Sequence, residues 1–141
     1  MALPASVTDE PVVTQFLTDY YRDFSSLDID AIVPYFHEPC LIIGPQGVLA
    51  APTRSVLATS LTPVLEGLRG RGYGRSDLSI RQFKSLSPAT IFVTGVALRF
   101  KVDGQPLEQA GVTYLLQKAE QHWKIAALVT HDADKVTDRN G

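Results

Sequence analysis

Apolar and polar positions change rhythm halfway along the chain, from helical spacing to alternation. Val13, Phe16, Leu17, Tyr20, Phe24 and Leu27 form one stripe of a long amphipathic helix. Thr8 or Asp9 is placed to cap it, with Pro11 in its first turn. A shorter helix from about Asp28 to Tyr35 carries Ile29, Ile32, Val33 and Phe36 and ends before Pro39. Cys40–Ile43 and Val48–Ala50 predict a small hairpin around Gly44-Pro45-Gln46-Gly47. A third helix, capped by Thr53, presents Leu57, Leu61, Val64, Leu65 and Leu68. Pro63 lies inside it and predicts a kink or break.

From Asp77 onward the pattern is that of strands. Leu78–Arg81 is followed by a turn at Ser87-Pro88 and a meander from Thr90 to His131. Asp103-Gly104 between alternating runs predicts a two-residue type I′ turn, which sets Arg99 opposite Glu108, Phe100 opposite Leu107 and Val93 opposite Tyr114. A tight loop after Ala119 sets Lys118 opposite Trp123 and His131 opposite Ala110. One face then carries Ile91, Val93, Val112, Tyr114, Leu116, Trp123, Ile125 and Val129, with Arg99, Glu108 and His131 at its end. The other carries Phe92, Val96, Leu98, Phe100, Leu107, Leu115 and Leu128. Gly95 in mid-strand predicts a bulge or bend. Helices first and antiparallel strands afterwards indicate an α+β fold.

A chain of 141 residues is read as one domain over 9–133, with tails at 1–8 and 134–141. Its net charge of −2 argues against a nucleic-acid binder. The one basic cluster, Arg69 to Arg75, reads as a solvated connection between helix and strand. Cys40 is the single cysteine, which excludes an intramolecular disulfide and a cysteine-based zinc site. There is no leader pattern at the N-terminus, and no apolar run approaches the roughly 20 residues needed to cross a bilayer. The expected setting is cytoplasmic, without membrane contact. No phosphate-cradling glycine motif or nucleophile elbow is present, and neither cofactor nor metal is expected.

Phe16-Leu17-x-x-Tyr20-Tyr21, Ile29-x-x-Ile32-x-x-Tyr35-Phe36, the hairpin Leu41 to Gly47, Leu78-Ser79-Ile80 through Thr90, and Trp123-Lys124-Ile125 occur in an order that resembles the nuclear transport factor 2-like superfamily. That superfamily includes SnoaL-like proteins and ketosteroid isomerases. The resemblance spans about residues 8–132. It implies a cone in which a strongly curved antiparallel sheet wraps around three N-terminal helices and encloses a pocket for a small apolar ligand. It also implies a homodimer through the outer sheet face, here the one with Phe92, Val96, Leu98 and Leu115. The steroid-isomerase residues are not carried over. Gly44 stands where that family has its general base, and Gly111 or Val112 where it has its protonated aspartate. Only Tyr20 or Tyr21 matches its tyrosine, so that chemistry is rejected.

His131 is the leading candidate for chemistry, because the inferred register puts it on the apolar face, diagonal to Glu108, which would orient it as a base. Its competing role is a strand-end histidine bonded to a neighbour. Arg99 and Glu108 read first as a cross-strand ion pair, and as ligand anchors if enclosed. The expected catalytic set is therefore His131, Glu108 and Tyr20. The expected pocket lining is Tyr20, Tyr35, Phe36, Leu61, Leu65, Val93, Arg99, Tyr114 and Val129. His37, Glu38 and His131 could ligate a metal, but their spacing does not require one. Two functions compete: a pocket protein for a small hydrophobic molecule, with or without acid–base catalysis of the isomerase, hydratase or cyclase type, and a non-catalytic homodimeric assembly module with a collapsed pocket.

Overall fold

In the computed structural model, which describes residues 5–136, α1 (Ala5–Ser25) leads into α2 (Ile29–Ile32) and a 3-10 turn (Val33–Tyr35). The strands are β1 (Phe36–Gly44), β2 (Gly47–Ala51), β3 (Tyr73–Ser87), β4 (Thr90–Lys101), β5 (Pro106–Ala119) and β6 (His122–His131), with α3 (Arg54–Gly70) between β2 and β3. They form one six-stranded sheet in the order β2-β1-β6-β5-β4-β3. Every pair is antiparallel except β1 and β6, so the sheet is mixed and unclosed. Among the described residues, no helix is long and apolar enough to cross a membrane.

Several boundaries differ from the sequence expectation. α1 begins at Ala5 and holds Pro11 inside it, on an exposed face, so Thr8 and Asp9 belong to the helix and do not cap it. Most of the two expected tails, residues 1–4 and 137–141, lies outside the described residues. Asp28 caps α2 by accepting from the Asp30 N–H, but the expected second helix is split, its end tightening to a 3-10 turn at Pro34. Thr53 caps α3 as expected. Pro63 does not break α3: it is exposed, and water can satisfy the Thr59 carbonyl it leaves free. His37 and Glu38 fall within β1 and not in a loop. Glu38 accepts from the Arg54 N–H at 2.7 Å, a carboxylate at the positive end of α3. The basic run is not all connection, since Tyr73 to Arg75 open β3.

The core lies between α1, α3 and the concave sheet face. Val13, Leu17 and Tyr20 meet Ile91, Val93, Tyr114, Leu116 and Ile125, all buried. Burial of these side chains contributes roughly 1.5–3 kcal/mol each, before chain entropy is set against it. Cys40 and Trp123 are buried in the same core.

Of the register shifts in the sheet, three bear on the sequence expectation. The first is opposite Gly95, where β3 carries an extra residue at Arg81; a Cβ on Gly95 would collide with the Ser79 carbonyl. The second is the β4–β5 turn. It has three residues and not two: the Gly104 N–H donates to the Lys101 carbonyl at 2.9 Å, the Lys101 N–H donates to that of Gln105 at 2.8 Å, and Gly104 alone takes positive φ, +90°. Phe100 therefore pairs with Pro106 and not Leu107, while the pairs from Arg99·Glu108 back to Val93·Tyr114 stand as expected. The third is in β6. Lys118·Trp123 and Leu116·Ile125 hold, then an extra residue at Ala126 shifts the register, so that Leu115 pairs with Ala127 and Gly111 with His131.

Candidate functional site

The bulge at Ala126 rearranges the inner surface. A one-residue slip exchanges the two faces of a strand. Beyond Ala126, Leu128 and Thr130 turn toward the helices, while Val129 and His131 turn to the outer face. There the His131 Nε2 and Thr113 Oγ1 lie 2.9 Å apart, and Nδ1 is 3.1 Å from the Asp132 carbonyl. Thr113 continues the chain to Thr94 at 3.0 Å. His131 thus occupies an outer-face hydroxyl network. The expected pairing with Glu108 and position inside the cone do not occur, and neither does the expected place of Val129 in the lining.

Inside the cone, a void of about 50 Å³ is lined by Tyr20, Tyr21 and Phe24 of α1, Ser76 of β3, Ala97 and Arg99 of β4, Val112 and Tyr114 of β5, and Leu128 and Thr130 of β6. This volume suits a few water molecules or one compact polar group. The remaining expected lining residues have other places. Phe36 packs edge-on against Tyr20, and Val93 and Leu65 are buried in the core with Leu61 packed beside them. Tyr35 lines a separate outer groove of about 640 Å³ with Phe16, Trp123 and Lys124, and its hydroxyl donates to Asp23.

The polar atoms around the void fall into three groups. The hydroxyls of Tyr21 and Tyr114 lie 2.7 Å apart. On the β3 side, Tyr73 and Ser76 hydroxyls are 2.6 Å apart, and Ser25 Oγ accepts from the Ser76 N–H at 3.2 Å while donating to the Tyr21 carbonyl at 2.8 Å. At the end of the chamber, Arg99 Nη1 donates to Glu108 at 2.6 Å, and Arg71 Nη2 donates to the other carboxylate oxygen at 2.7 Å. The Arg99 guanidinium lies 5.9 Å from the Phe24 ring centre.

Arg99 Nε is buried without a partner. The Tyr20 side chain is 4% exposed, packed edge-on by Tyr21, Tyr35, Phe36 and Tyr114, and its hydroxyl has no partner among the described residues.

Burial raises the Tyr20 hydroxyl far above its ordinary range, the neighbouring Tyr21 adding to this and Arg99 opposing it. Burial also brings Tyr21 up to about 12, its bond to Tyr114 working the other way, and raises Tyr114 well above its usual value. For Glu108, burial alone would raise the carboxyl, but the hydrogen bonds from Arg71 and Arg99 outweigh it and hold it below its usual value. At neutral pH the chamber therefore presents hydroxyls, a guanidinium and a carboxylate already committed to two arginines. It offers donors and a net positive end, and no free base. Among the described residues, no three His, Cys, Asp or Glu side chains gather as a metal cluster.

The structure brings Tyr20, Arg99, Glu108 and Tyr114 together at one end of the cone, and leaves His131 and Val129 outside it. Sequence reasoning missed Tyr21, Phe24, Ser76, Ala97, Val112, Leu128 and Thr130 as lining. The Tyr20-Tyr21 pair was itself a usable signal, since adjacent helical residues point about 100° apart and can reach two walls of one cavity.

Comparison with known proteins agrees with this architecture. A family model described as NTF2-like protein (DUF6841) matches residues 9–133. No curated protein matches the chain. Among solved structures, the protein Aln2 from a Streptomyces species is similar with a TM-score of 0.73 and 16% identity, over 95% of this chain and 95% of that one. An NTF-2 like protein of unknown function from Shewanella oneidensis gives 0.67 and 20%, over 85% and 96%. A ketosteroid isomerase-like protein from Erwinia carotovora atroseptica gives 0.63 and 18%, over 87% and 95%. At these identities the likeness is one of fold.

Proposed function

Since the chain belongs to the NTF2-like family DUF6841, we propose that the end of its cone binds a small molecule by an anionic oxygen group, a carboxylate being the simplest case. The observation that carries this reading is Arg99 Nε, buried without a partner, in a side chain that lines the same void as Tyr20. Buried polar groups are nearly always satisfied, so an orphan on a residue that lines a void points to an occupant. Arg71, Arg99 and Glu108 together carry a net positive charge, which favours an anion. Tyr114, Val112 and Leu128 supply the apolar walls. Binding, not proton transfer, is the role this chamber supports, because its carboxylate is committed and its tyrosines hold their protons.

Titration with acetate and its neutral isostere acetamide, followed by NMR, tests the reading. Acetate should shift signals of Tyr20, Arg99 and Thr130, and acetamide should not. Arg99→Gln should weaken acetate by roughly 10- to 100-fold, the worth of one charge-assisted hydrogen bond. The small size of the void favours the second reading, a filled core in an assembly module; silence at all three residues with acetate would establish it over the first.

We further propose that the outer sheet face joins two copies. Leu41 and Leu115 remain 40% and 38% exposed on it, beside half-buried Phe92, Leu98 and Val129. Contiguous apolar surface of this kind is characteristic of interfaces. Val96, expected as part of the patch, is 6% exposed in the single chain and would add little.

A further inference from the structure

Tyr21 and Ser76 have two sides. One side lines the 50 Å³ void at the end of the cone. The other lines a groove of about 570 Å³ between α1 and β3, whose walls include Thr14, Thr18, Arg22 and Asp77 above an apolar floor of Leu17 and Leu78. These two side chains are therefore the partition between an outer groove and the inner chamber. The groove has the volume of an ordinary small-molecule site, whereas the void holds only a head group.

We infer that groove and void are two halves of one site, entered between α1 and β3 through the Tyr21–Ser76 partition. This rests on the reading of the inner chamber as an oxyanion site. The partition is built to part. Tyr21 is held from the inner side by its hydroxyl bond to Tyr114, and Ser76 by its bonds to Tyr73 and Ser25. A carboxylate arriving beside Tyr114 replaces the bond that Tyr21 gives up, and brings the acceptor that Arg99 Nε lacks. Rotation of the Tyr21 ring thus leaves the Tyr114 hydroxyl with an acceptor and turns that of Tyr21 to the groove side, where water can satisfy it.

The walls also select the body of the ligand. Hydroxyls of Thr14, Thr18 and Ser25 stand beside Arg22 and the Arg75–Asp77 ion pair, over leucine side chains. That mixture suits a hydroxylated, partly apolar acid, with its carboxylate inside and its hydroxyl outside, better than a wholly apolar skeleton.

Two probes separate the halves: acetate, which is head alone, and para-hydroxyphenylpropionate, which is head and body. Both should shift Tyr20, Arg99 and Thr130, and only the longer acid should shift the amides of Thr14, Thr18 and Asp77. Thr18 is exposed on α1, and Thr18→Trp fills the groove from outside. It should weaken the longer acid at least roughly tenfold and leave acetate within about twofold. If the longer acid shifts Tyr20 and Arg99 while the groove amides stay silent and Thr18→Trp has no effect, the two-part site is overturned and the inner chamber stands. If neither acid moves Tyr20 or Arg99, the chamber reading falls, and this one with it.

Discussion

Tyr20 and Tyr21 are neighbours on one helix, both buried, yet only one hydroxyl has a partner. That difference gives opposite mutational expectations. Tyr21→Phe deletes a bond and strands the Tyr114 hydroxyl, so unfolding in denaturant should show a loss of about 1–3 kcal/mol. Tyr20→Phe removes a hydroxyl that bonds nothing and should stay within about 0.5 kcal/mol of the parent. Equal losses would show that Tyr20 has a partner and would remove an argument for the chamber. The same burial predicts alkaline sensitivity. In the folded state the pKa values of Tyr20, Tyr21 and Tyr114 are raised above 10.0. Above pH 10 the unfolded chain gains from ionising these groups and the folded chain does not. Their contribution is therefore complete below pH 10 and is lost as pH rises from there through the raised folded-state values. Phenolate absorbance should appear together with loss of structure. Early titration of all five tyrosines in a folded protein would contradict the burial. At the acid end, Glu108 contributes stability above its ordinary value of 4.5, lost as pH falls below it.

At the scale of elements, what was legible depended on whether a sequence fixed its own phase. The pairing of β4 with β5 was readable because Asp103-Gly104 marks its turn, and the extra residue of the three-residue turn is absorbed at Leu107 before Arg99 meets Glu108. β6 gave no such signal where it mattered. Ile125-Ala126-Ala127-Leu128-Val129 is apolar at every position, and alternation cannot register an extra residue within a continuous run. The bulge therefore carried His131 to the outer face and Thr130 to the inner one without a trace in the pattern. Turn chemistry misled in a related way. Asp103-Gly104 suggested a two-residue turn, but the residues that take the two positive φ angles of such a turn are Glu120 at +52° and Gln121 at +69°, between β5 and β6. Neither is a residue that favours that conformation, and each is held there by the strands on either side. Replacing Glu120-Gln121 with Asn-Gly should stabilise the fold by about 1 kcal/mol, measured as a shift in denaturant midpoint at unchanged slope. A loss of stability would show that these two side chains make contacts worth more than their backbone strain.

For the whole molecule, the sheet faces in two directions and the helices cover only one of them. The concave face is closed by α1 and α3 around Tyr20, Tyr114 and their neighbours. On the convex face, β5 presents Leu115 directly opposite Phe92 on β4 and Ala127 on β6, so the exposed leucine stands at the centre of an apolar patch, not at its rim. A symmetric dimer would place this patch against its own copy, and a stable interface of this type removes about 800 Å² per partner from water. The outer hydroxyl network of His131, Thr113 and Thr94 lies on the same face and supplies polar register beside the leucines. Sedimentation at micromolar concentration should therefore give about twice the 15.4 kDa chain mass. Leu115→Lys places a charge at the centre of the patch and should return the protein to a monomer. Its thermal midpoint, extrapolated to low concentration, should match that of the parent, because Leu115 is not part of the monomer core. A parent protein that stays at 15.4 kDa throughout that range would remove the dimer. A Leu115→Lys variant that remains dimeric would place the interface elsewhere.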